Sequence, residues 1–158
     1  MIATKRAIIT AVLGVSLFPG FAMAQSSVTG EKAQEEAFLD VLPKLDLPES
    51  VQPIPGAVNE EFRNCKASWP AEYEQAQSGP EARALRDIYG LVRTRNVITT
   101  QDCGCTGKVA NWADVESVAA ALRSAEGVSR LTWKHTKLVA DEAEKLTAIA
   151  ETMCGGSF

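Results

Sequence analysis

Four cysteines constrain this chain more than any other feature: Cys103 and Cys105 flank Gly104 in a turn rich in glycine and threonine, and Cys65 and Cys154 stand far away on either side. An even number of cysteines in an exported chain of this size reads as two structural disulfides. Three pairings are possible. A Cys103–Cys105 bridge would close a very small ring, so bridges crossing from Cys65 and Cys154 to the turn are favoured, with the choice between the two crossing arrangements left open. A loop of the size that Cys65 to Cys103 would close contributes about 3–4 kcal/mol on the chain-entropy argument.

The expectation of export rests on residues 1–24. Lys5 and Arg6 precede an apolar run from Ala7 to Phe18, the breaker pair Pro19-Gly20 follows, and Ala22-Met23-Ala24 places small residues where a signal peptidase reads. Cleavage is expected before Gln25. The apolar run falls short of the roughly 20 residues that span a bilayer. No cysteine follows the cut to carry a lipid, and no later segment is apolar enough to be a transmembrane segment of the mature chain. The expected location is therefore periplasmic or secreted.

Losing Lys5 and Arg6 with the signal moves the net charge from −4 to two units lower, which leaves an acidic mature chain. With no basic cluster, its composition argues against nucleic acid and against anionic lipid surfaces as partners.

The pattern of apolar residues reads as all-α, a small disulfide-stabilised domain of about five helices ending in a long C-terminal one. Residues 31–42 place Ala33, Ala37, Phe38, Val41 and Leu42 at helical intervals, with Glu35, Glu36 and Asp40 opposite. Pro43 limits that helix, and Pro48, Pro53, Pro55 and Gly56 make residues 46–58 an extended linker. Three parts follow: a signal peptide at 1–24, an amphipathic helix and proline-rich linker within 25–58, and a disulfide-held helical domain at 59–158.

Within that domain Asn59 is read as the cap of a helix running to about Trp69, with Phe62, Cys65 and Trp69 on one face and a further turn from Pro70. A clearer helix spans 81–95 on the stripe Ala82, Leu85, Ile88, Tyr89 and Val92. Val97 to Thr100 is β-branched and expected to be extended. Asn111 caps a helix over 112–125 with core positions Val115, Val118, Ala119 and Leu122, stopped at Gly127. The last helix is expected over 129–153. A wheel of it gathers Leu131, Leu138, Val139, Leu146, Ile149, Ala150 and Met153, sets His135 among them, and puts Trp133 on the opposite, charged face.

Chemistry is thinly marked. The Cys103-Gly104-Cys105 turn suggests a redox pair, yet no Cys-x-x-Cys opens a helix in a βαβ pattern, and Lys108 is the only cation placed to favour a thiolate. Those two cysteines with Cys65, Cys154 or His135 could bind copper(I) or zinc, but their spacing is not that of a zinc finger. No metal and no cofactor are therefore expected. Gly107-Lys108 resembles the end of a phosphate loop, but Asp102 stands where its first glycine belongs and Val109 where its Ser or Thr belongs. Gly-x-Ser-x-Gly and His-Glu-x-x-His are absent, and a single histidine leaves few ways to build a hydrolytic triad.

The resulting expectation is a non-enzymatic protein that works through protein–protein interaction. Its partner would be another envelope or secreted protein, and its role that of an accessory component of an envelope machine such as a secretion or conjugation system. Trp133 is the candidate partner-binding residue, and Cys65, Cys103, Cys105 and Cys154 hold the fold. The alternative is a thiol–disulfide redox protein or soft-metal carrier acting through the Cys-Gly-Cys turn.

Overall fold

A computed structural model describes residues 32, 45–47, 49–65 and 79–158. The signal segment 1–24, the turn from Pro70 and, apart from Lys32, the helix expected over 31–42 lie outside these residues. The described part is helical without a strand: a 3-10 turn at Phe62–Asn64, then α1 (Ala82–Thr100), the single turn α2 (Cys105–Lys108), α3 (Trp112–Glu126) and α4 (Lys137–Cys154).

Helix α1 is the element on which the others pack, α4 most extensively and then α3 and α2. Leu85, Ile88, Leu91 and Val92 recur at three- and four-residue spacing and are buried, as is Val97 in the last turns, which makes a stripe wide enough to receive two helices. From α4 come Val139, Leu146, Ala150 and Met153, and from α3 Val115, Val118, Ala119 and Leu122. Each fully buried Leu or Ile here stabilises the fold by about 1.5–3 kcal/mol relative to exposure. Helix α3 begins and ends where its caps place it. Asn111 Oδ1 accepts from Ala113 N at 3.0 Å, and Gly127 closes the helix in the left-handed region.

Three expectations are corrected. Val97–Thr100 is not extended but forms the last turn of α1. The β-branched penalty is a few tenths of a kcal/mol per residue, less than the gain from burying Val97 and Ile98, and Thr100 Oγ1 donates to Asn96 O at 2.7 Å as a helical threonine can. The helix then stops at Gln101, which adopts φ 56°.

The second correction is at Asn59, which caps nothing. Residues 58–61 are irregular and, among the described residues up to Cys65, the short turn Phe62–Asn64 follows, because the Asn59 side chain is engaged with Ser157 and Lys108; the stretch expected to continue to Trp69 lies outside the described residues. The third is at the last helix, which starts at Lys137 instead of Ser129. Residues 133–136 form a separate turn, held by bonds described below.

The proline-rich stretch is laid on the core. Val51, Ile54 and Ala57 pack against it, Ile54 N donates to Met153 O at 2.8 Å, and Ala57 N closes the Pro55-Gly56 turn on Ile54 O at 3.1 Å. That places residues 51–65 across the C-terminal end of α4 and beside α2.

Candidate functional site

The four cysteines meet at the C-terminal end of α1. Cys65 is bonded to Cys105 and Cys103 to Cys154, with Cα–Cα separations of 5.1 and 5.6 Å, inside the range a disulfide needs. The turn thus divides its two sulfurs, sending one back to the 3-10 segment and the other on to the end of α4. Sequence separations of 40 and 51 residues make each bridge worth about 4 kcal/mol on the chain-entropy argument. Cys103 and Cys154 are 3% and 4% exposed, whereas Cys65 and Cys105 are only half-buried.

Backbone and carboxylate bonds hold this clasp. Gly104 N donates to Asp102 Oδ1 at 2.8 Å, Cys105 N to Glu60 Oε2 at 2.6 Å, and Glu60 N to Cys103 O at 3.2 Å. Gly107 is required by space alone, since a Cβ there would lie 2.0 Å from Asp102 O. Lys108 is fully buried, its ammonium donating to Asn59 Oδ1 and Glu60 O. Burial lowers its pKa, the Arg93 charge lowers it further, and Glu60 works the other way. The Arg93 guanidinium lies 3.8 Å from the Phe62 ring centroid and 4.5 Å from that of Phe158, and desolvation lowers its pKa in turn. A surface cleft of about 390 Å³ opens alongside, lined by Glu61, Phe62, Arg63, Ser157 and Phe158.

What the clasp can do chemically follows from its bonding. The ligand atoms of Glu60, Cys65 and Cys105 lie within 4.8 Å of one another, but the two sulfurs are bonded together and carry no thiolate charge for a metal. Glu60 sets a carboxylate beside them, the reverse of the electropositive setting that makes a cysteine reactive. The arrangement acts as a fastening between α1, α2, α4 and residues 59–65.

Trp133 stands apart from it. Leu131 N donates to Glu81 Oε1 at 2.9 Å and Thr136 Oγ1 to Asp87 Oδ2 at 2.8 Å, so the 131–136 segment lies over the N-terminal half of α1. From Asp87 to Gln101 the helix rises about 20 Å, so the indole does not cover the cysteine turn. Within the segment Thr132 and His135 bond reciprocally: His135 N donates to Thr132 O at 2.9 Å, and Thr132 N donates to His135 Nδ1 at 3.0 Å. The backbone of His135 closes the turn on the Thr132 carbonyl while its imidazole accepts from the Thr132 amide, so both residues are held by the turn itself.

Both wheel positions are thereby corrected. His135 is a half-buried turn residue that bonds Thr132, and Trp133 sits at the outer tip of the turn, 57% exposed, with Lys134 Nζ 5.9 Å from its ring. The sequence offered Asn59 only as a helix cap and gave Glu60 and Arg93 no part in the clasp, because all three bond or stack only through the tertiary fold. Lys108 was visible as the one cation beside the cysteines, though not as a buried one. No protein-family model, curated protein or solved structure matches this chain.

Proposed function

We propose that this is an exported, non-enzymatic helical protein that acts by binding another envelope or secreted protein, as an accessory component of an envelope assembly. The observation that carries the reading is Trp133: a large apolar side chain 57% exposed on a turn fixed at both ends by bonds to α1. A tryptophan held rigid in the free protein loses little conformational freedom on docking, and tryptophan is among the residues that most often dominate an interface. Two further observations are consistent with the setting. Two disulfides fit a chain that folds outside a reducing compartment, and no helix among the described residues is long and apolar enough to cross a membrane.

The test is Trp133→Ala in the mature chain, with thermal melting and affinity capture from envelope extract measured side by side. An anchor predicts stability within about 0.5 kcal/mol of wild type, as for an exposed substitution, with a captured partner lost. A loss of about 3–5 kcal/mol, the cost of truncating a packed indole, with every partner retained would overturn the reading.

A further inference from the structure

We infer that opening the Cys65–Cys105 bridge turns the clasp into a zinc site, made of the two freed thiolates and the Glu60 carboxylate. The inference is independent of Trp133. Ligand atoms of these three residues lie within 4.8 Å of one another, Glu60 is exposed and both cysteines are half-buried, so an ion and a reductant can reach them from solvent. The enclosed Cys103–Cys154 bridge meanwhile continues to hold the turn to α4.

The rest of the clasp keeps the three ligands together once the bond is gone. Cys105 N donates to Glu60 Oε2 at 2.6 Å, Glu60 N to Cys103 O at 3.2 Å, and the buried Lys108 ammonium to Asn59 Oδ1 and Glu60 O. Cys65 is tied to the same segment through its amide, which donates to Phe62 O at 2.9 Å. With the two Cα atoms 5.1 Å apart, side-chain rotation can part the sulfurs to about 3.8 Å, the separation that two Zn–S bonds of about 2.3 Å at a tetrahedral angle require. A carboxylate has lone pairs enough to accept from Cys105 N and to bind a metal at once.

The donor set selects the metal. Two thiolates disfavour calcium and magnesium, which take oxygen, and copper(I) gains little from a carboxylate, whereas two sulfurs and one oxygen with an open fourth position suit zinc. The same carboxylate that opposes a reactive thiolate attracts a dication. The step balances with a dithiol as reductant: it delivers two electrons and two protons to the cleaved S–S bond and becomes a disulfide itself. Zinc then displaces both thiol protons into solvent as two Zn–S bonds and one Zn–O bond form.

The experiment uses the full mature chain with the exposed bridge opened by limiting phosphine, the freed thiols located by alkylation and the excess reagent removed. Zinc is titrated against a chromophoric chelator, and cobalt(II) is added separately to read its thiolate charge-transfer absorption. The inference expects one zinc per chain and the cobalt absorption in the reduced protein, neither in the oxidised protein, and an unchanged helical circular-dichroism signal. Glu60→Gln, which keeps an acceptor for Cys105 N, should weaken zinc at least about tenfold. Five results would overturn the inference: equal zinc binding by the oxidised protein, no metal bound when Cys65 and Cys105 are the free thiols, affinity unchanged by Glu60→Gln, unfolding when that bridge opens, or release of Cys103 and Cys154 first or at the same time.

Discussion

The ammonium of Lys108 donates to Oδ1 of Asn59, a residue 49 positions earlier in the chain, and so fastens the inner side of α2 to the segment that carries Cys65. The same ammonium donates to Glu60 O, while Asn59 Nδ2 donates to Ser157 O at 3.0 Å. One buried lysine therefore gathers three distant stretches of chain at the foot of the disulfides.

Removing it should be costly. Lys108→Met keeps much of the stem but leaves the acceptors at Asn59 and Glu60 unpaired, and a buried unpaired acceptor costs about 1–3 kcal/mol. We expect Lys108→Met to destabilise by about 2–4 kcal/mol in urea melts. A double-mutant cycle with Asn59→Ala should show coupling above about 0.5 kcal/mol. Additive single effects would mean that the bond does not form.

Gly107 tests the close packing of the same turn. A Cβ would meet the Asp102 carbonyl oxygen at 2.0 Å, and both atoms belong to backbone fixed by neighbouring bonds, so relief requires the clasp to shift. Gly107→Ala should lower stability by about 2–3 kcal/mol or more, within the usual range for overpacking. An unchanged melting temperature would contradict this packing.

Acid should weaken the turn that carries Trp133. Burial alone would raise the Glu81 pKa, but the bonds from Arg123 and Leu131 together with the charges of Arg123 and Arg130 outweigh it and hold the pKa below its ordinary carboxylate value. A carboxyl group whose folded pKa is depressed contributes stability that is fully present above its unfolded value and is lost as pH falls through the folded one. Stability should therefore fall as pH drops below the ordinary carboxylate range, and Glu81→Gln should flatten that part of the profile. At neutral pH the substitution should cost about 1–3 kcal/mol, as for a hydrogen bond to a charged group. An acid limb unchanged by Glu81→Gln would refute the assignment.

How much of this was legible in the sequence depends on the range of the forces involved. That both outer cysteines cross to the turn was legible because disulfide geometry disfavours a bridge within Cys-Gly-Cys, though which crosses to which was not, and α3 was legible because Asn111 and Gly127 are local signals. Val97–Thr100 misled because β-branched propensity is weak beside the burial of Val97, which only the tertiary fold supplies. The Thr132–His135 turn was hidden inside a run with helical periodicity. It forms because Glu81 and Asp87, some 50 residues upstream, bind Leu131 and Thr136 and hold the chain off the helical path. Asn59 looked like a cap for a related reason: its side chain has partners 49 and 98 positions away.

The two bridges should differ in reactivity. Cys103 and Cys154 are enclosed, while Cys65 and Cys105 are half-exposed to an attacking thiolate. Access is one of the determinants of exchange rate. Limited reduction followed by alkylation should label Cys65 and Cys105 first, and loss of both bridges at one rate would contradict the difference in burial.

The most direct test of the account is a map of the disulfides in unreduced protein by peptide mass spectrometry, with electron-transfer fragmentation to separate Cys103 from Cys105. The account predicts Cys65 joined to Cys105 and Cys103 joined to Cys154, with no free thiol. Cys65 joined to Cys103, a bridge within the Cys-Gly-Cys turn, or free thiols in freshly purified protein would contradict it.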